Sequence, residues 1–145
     1  MVLVSLLAGF VANVIYYETN VYTVVANEKM ALQSVRITAE MMSRDLREIM
    51  APDSIFQASV DSIRFDRVGD QLVRYEHVGN RILRNGNVLL EGVSTFEFRY
   101  YNKLGSPLSS PVADPKEIRR VVFSLTAQVG NRPVSSKMSI TPRNW

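Results

Sequence analysis

The sequence has no cysteine and one histidine, His77. The first absence excludes a disulfide-stapled scaffold, a cysteine-ligated zinc site and a thiol nucleophile. The second leaves no imidazole pair for a metal or a proton relay, so His77, with Tyr75 and Glu76 as neighbours, reads as a structural strand residue. No G-x-S-x-G, P-loop, H-E-x-x-H or G-x-G-x-x-G run is present, and neither an enzyme nor a cofactor is expected. Charge is missing from Met1 to Tyr17 (MVLVSLLAGFVANVIYY), and glycine and proline are missing from Phe10 to Ala51. Over 145 residues, 46% hydrophobic and 21% charged, the composition is that of one globular unit with a helical extension. Disordered and collagen-like classes are excluded.

The uncharged run would cover about 26 Å as a helix, a little short of the ~30 Å hydrocarbon core of a bilayer. Glu18 is the only charged residue between it and Asn27. A membrane helix, a signal peptide and a buried soluble helix compete for this segment. The signal peptide is disfavoured because no Lys or Arg precedes Lys29 and no structural break follows. From Glu28 to Met50 the pattern turns amphipathic. Leu32, Val35, Ala39, Met42, Leu46 and Ile49 recur at spacings of three and four and form one stripe, expected to pack on a sheet. Arg36, Glu40, Arg44, Asp45, Arg47 and Glu48 fall on the wet side, with Glu40 and Arg44 spaced for an i, i+4 pair. Pro52 ends the pattern. The expectation is one helix of about 50 residues, roughly 75 Å long.

Beyond Ser54 the period becomes two. Strands are expected at Ser62–Val68, Gln71–Val78, Arg81–Arg84, Asn87–Leu90 and Thr95–Tyr101, joined by Gly69-Asp70, Gly79-Asn80 and Asn85-Gly86 turns into an antiparallel meander with one apolar face. Asn102 to Glu117, with Gly105 and three prolines, reads as a long irregular loop. Strands Ile118–Val129 and Val134–Ile140 follow across Gly130-Asn131. The helix stripe is the natural cover for the sheet. Expected organisation is therefore α+β: an apolar half-helix at 1–27, then a head at 28–145 built from the amphipathic half-helix 28–51 and a sheet over 54–145.

Residues 1–53 carry four basic and six acidic side chains, whereas 54–145 carry thirteen and eight. Basicity thus belongs to the head. Arg64, Arg74, Arg99, Arg119 and Arg120, interleaved with Tyr75, Tyr100 and Tyr101, are the candidate surface for an anionic ligand such as DNA. The blander reading is solvent-facing arginine, including Arg67, Arg81 and Arg84, partly paired with Asp66, Glu76 and Glu97 across strands. Asn102, Ser106, Ser109, Asp114 and Glu117 give the long loop oxygens of the kind calcium accepts, though only two are carboxylates. Met30, Met41, Met42 and Met50 read by default as core filler.

An apolar-then-amphipathic helix followed by a small antiparallel sheet resembles the plan of type IV pilins and of the pseudopilins of type II secretion. MVLVSLLA resembles the mature pilin start, with Leu3, Val4, Leu6 and Leu7 in register. LEGVSTFEFRYYN at Leu90 to Asn102, IRRVVFSLTAQV and the closing TPRNW are similar to minor subunits of the J class. Ser5 stands where that family usually carries glutamate, and no basic leader ending in glycine precedes Met1. The resemblance implies a pilin-like fold with a long N-terminal helix packed on the sheet, and processing and methylation at Met1. Leu3, Val4, Ser5, Leu6, Leu7 and Phe10 would form the subunit-packing helix. It implies a single-pass inner or cytoplasmic membrane protein with an external head, later assembled near a filament tip. Its partners would be other minor pilins or pseudopilins and the major subunit; nucleic acid is the partner in the alternative reading, a ligand-binding tip module.

Overall fold

The computed structural model describes residues 29–69, 71–129 and 132–143. A helix, α1, occupies residues 29–47. Eight strands follow: β1 Ile55–Ala58, β2 Ser62–Arg67, β3 Gln71–Val78, β4 Arg81–Arg84, β5 Asn87–Glu91, β6 Val93–Tyr101, β7 Arg120–Val129 and β8 Arg132–Ile140. All neighbours pair antiparallel, but in two sheets: β1-β2-β3-β4-β5 and β6-β7-β8.

This corrects the expected architecture of a long N-terminal helix laid on one sheet. The described fold is mainly antiparallel β, with α1 described over residues 29–47. Two local features set the C-terminal end of α1 and the division of the strands. The helix ends before Ala51 because the next backbone is claimed by β2: Val68 N–H donates to the Glu48 carbonyl at 2.9 Å, Met50 N–H donates to the Asp66 carbonyl at 3.1 Å, and Ile49 bridges Arg67. The sheet divides at Gly92, whose φ of +76° turns the chain between β5 and β6. Alternation marks strands on either side of that bend but not which strand each one pairs with, so the pattern alone reads as one sheet.

The expected single-pass membrane placement is corrected as well. Among the described residues no helix is long and apolar enough to cross a membrane. Residues 1–27, with Met1, Leu3, Val4, Ser5, Leu6, Leu7 and Phe10, lie outside the described residues.

One core joins α1 to both sheets. Val35, Ala39, Met42, Leu46 and Ile49 from the helical segment meet Ile63, Phe65, Val73 and Ile82 of the first sheet and Phe98, Val121, Phe123 and Leu125 of the second. Phe98 stands edge-on to Phe96 at 4.8 Å and to Phe123 at 6.4 Å, geometries that favour aromatic pairs. The sheets are tied at β6, where Phe98 N–H donates to the Val60 carbonyl and the Tyr100 hydroxyl donates to the Ser59 carbonyl at 2.8 Å. β1 is an addition to the expected strands: four residues between Pro52 and Ser59 are too few to show a period. Asn85 and Gly86, at φ +50° and +82°, make the expected tight β4–β5 turn.

Candidate functional site

Near the end of α1, Asp45 is 0% exposed, although the helical pattern assigns it to the wet side. Three strands of the first sheet supply its partners. Arg67, ending β2, donates Nη1–H to Oδ1 at 2.9 Å; Tyr75 on β3 donates its hydroxyl to Oδ2 at 2.8 Å; Arg84, ending β4, donates Nε–H to Oδ2 at 2.9 Å. Arg67 also donates to Gln71 Oε1 at 2.7 Å, and its Nε lies 3.3 Å from Glu48 Oε2, an ion-pair distance without hydrogen-bond alignment. Burial, reinforced by the Asp45 charge and hydrogen bond, holds the Tyr75 hydroxyl far above its ordinary pKa, so it remains a proton donor. Burial lowers the Arg84 pKa, but the Asp45 hydrogen bond and charge outweigh it and the net shift is upward. A buried carboxylate with this many charged donors clamps α1 to the sheet and leaves no face for a substrate.

Beside this clamp, α1 and β8 leave a seam made of two adjoining cavities. One, of about 660 Å³, is lined by Leu32, Val35, Ala39, Val134 and Met138, with Lys29, Arg36 and Glu40 also on its walls. The other, of about 260 Å³, is lined by Ser43, Arg44, Arg47, Glu48 and Arg143. Glu40 and Met138 line both, so the seam is continuous. Arg143 is fixed there by its N–H, which donates to the Arg47 carbonyl at 3.1 Å. The sequence offered little warning of this site: Arg44 and Arg47 share a helix face, but Arg143 joins them only because β8 returns beside α1.

The structure places the expected stripe residues unevenly. Val35, Ala39, Met42, Leu46 and Ile49 are buried, whereas Leu32 is 46% exposed and stands at the seam. The expected Glu40–Arg44 pair is replaced by Arg36–Glu40 at 2.8 Å. The candidate anionic-ligand residues divide between two sheets. Arg64 and Arg74 are cross-strand neighbours on β2 and β3, with Arg64 over the Phe56 ring and Arg74 paired to Glu76. On the second sheet Arg99 pairs with Glu97 and Arg120 covers the Tyr101 ring at 4.4 Å. Arg119, just before β7, donates to the Lys116 and Ile118 carbonyls. Tyr75 and Tyr100 are core residues rather than surface stacking platforms.

In the long loop, Asn102 Oδ1 accepts the Leu104 and Ser106 N–H groups, and Asp114 Oδ1 accepts the Lys116 N–H. These oxygens serve turns, and among the described residues no cluster of acidic or histidine side chains is arranged to hold a metal. His77 packs against Phe96 at 5.7 Å, with its Nε2 buried and without a hydrogen-bond partner among the described residues. Met42 is core, but Met30 and Met50 are exposed, contrary to the core-filler reading.

No protein-family model matches this chain, and no curated protein matches it significantly.

Proposed function

We propose that this chain is a minor structural subunit of a type IV pilus or a type II secretion pseudopilus, helping to initiate or cap filament assembly through helix packing and head-domain contacts. Its partners would be other minor pilins or pseudopilins and the major subunit. The observation that carries this reading is the way α1 emerges from the head. Burial along the helix begins at Val35, and every residue from 29 to 34 is at least partly exposed. Met30 is 59% exposed and Ile37 is 49% exposed. Large apolar side chains on a helix leaving its own core favour contact with another subunit. The register of MVLVSLLA, upstream in the same sequence, supports the same reading.

Because the chain has no cysteine, single cysteines report contacts without background. Met30→Cys and Ile37→Cys are expected to cross-link to other filament subunits in the producing cells, and Val88→Cys, exposed on the first sheet, is not. Equal yields at all positions, or none with any filament subunit, would remove the reading.

A further inference from the structure

We propose that the α1–β8 seam is a docking site for a partner protein's extended, apolar peptide segment that ends in acidic residues, with its carboxylate seated among Arg44, Arg47 and Arg143. The inference goes beyond the filament reading and does not depend on it.

The cationic end is defined by which arginines lack partners. Arg36, Arg67, Arg74, Arg81, Arg84 and Arg99 are paired with carboxylates. Arg64 and Arg120 cover aromatic rings, and Arg119 is bonded to carbonyls. Among the described residues, the arginines whose side chains have no ion-pair, ring or hydrogen-bond contact are Arg44, Arg47, Arg132 and Arg143. Three of these four line the same 260 Å³ cavity, and Arg132 lies at the opposite end of β8. The acidic residues on that wall are engaged elsewhere, Glu40 with Arg36 and Glu48 with Arg67. Three guanidiniums lining one cavity offer an incoming carboxylate charge complementarity and forked hydrogen bonds.

The rest of the seam says what carries the carboxylate. The adjoining cavity presents Leu32, Val35, Ala39, Val134 and Met138, a lining that favours apolar side chains over a free phosphate or a nucleic-acid backbone. Consecutive residues Val134, Ser135 and Ser136 all line it, although Ser135 points to the opposite sheet face, where its hydroxyl meets Thr126 at 3.0 Å. The cavity therefore follows the edge of β8 rather than one face. Among the described residues β8 has a strand neighbour, β7, on one side only, and an edge strand is the place where an extended segment adds to a sheet.

The test uses the full chain in non-ionic detergent and a fluorescent, end-blocked peptide of alternating valine and threonine closed by a pair of glutamates. Saturable binding is expected, weakened about tenfold or more by Arg44→Gln combined with Arg143→Gln and also by Met138→Glu, and unchanged by Arg99→Gln. A matching peptide closed by lysines is expected not to bind. Circular dichroism checks that each variant is folded. Absent saturation, equal binding of the lysine peptide, or full affinity in the double variant would overturn the proposal. Inorganic phosphate competing as tightly as the peptide would overturn the peptide assignment in favour of a free-anion site.

Discussion

The Tyr75 hydroxyl donates to the Asp45 carboxylate at 2.8 Å across 30 positions of sequence. That contact, with Arg67 and Arg84 on the same carboxylate, joins the helix to the centre of the first sheet. Removing the carboxylate would leave the buried Tyr75 phenol and the Arg84 guanidinium without their acceptor, and Arg67 with only Glu48 and Gln71. Asp45→Ala is expected to destabilise the full chain by about 3–5 kcal/mol, measured by urea denaturation. A loss within the range of a surface ion pair, below about 1 kcal/mol, would show that the clamp is not buried as described.

Stability is expected to fall in alkali. Burial raises the Tyr100 pKa well above its ordinary value, helped by the Asp61 charge, and burial with Asp45 does the same at Tyr75. The unfolded chain then releases these phenolic protons first, so the native state holds more protons above about pH 10. The stabilisation is complete below that pH and is lost as pH rises beyond it. Tyr75→Phe combined with Tyr100→Phe should flatten the alkaline limb of a stability-versus-pH curve; an unchanged slope would assign it to other groups.

Two leucines on one helix should separate in energy. Leu46 is fully buried and Leu32 stands at the seam. Leu46→Ala is expected to cost about 2–5 kcal/mol, and Leu32→Ala to stay within about 0.5 kcal/mol. Equal losses in thermal or urea unfolding would mean that the helix is rotated from the position described.

At the β4–β5 turn, Asn85 combines a φ of +50° with two side-chain bonds to β3: its Oδ1 accepts the Arg74 N–H at 2.7 Å and its Nδ2 donates to the Leu72 carbonyl at 3.2 Å. Asn85→Ala loses both bonds and adds left-handed backbone strain, a combined cost of about 2 kcal/mol. Asn85→Gly removes the strain but not the lost bonds, and should recover part of that cost. Identical stabilities for the two variants would show that strain is not part of it.

The sequence by itself determined the local features of this protein. Its apolar spacing put Val35, Ala39, Met42, Leu46 and Ile49 on a buried stripe, and its alternation marked most strands, because both are periodicities of the backbone that neighbours in sequence express. Asn85-Gly86 specified its turn through local conformational preference. Tertiary structure decided the rest. The division of the strands at Gly92 is a choice of pairing partner, and a period of two is the same in one sheet as in two. Asp45 was assigned to solvent by helical position, yet Arg67, Tyr75 and Arg84 converge on it from three strands and supply the charge and hydrogen bonds that permit its burial. Arg143 meets Arg44 and Arg47 for a similar reason: β8 returns alongside α1, bringing together cations nearly a hundred residues apart that no local pattern connects.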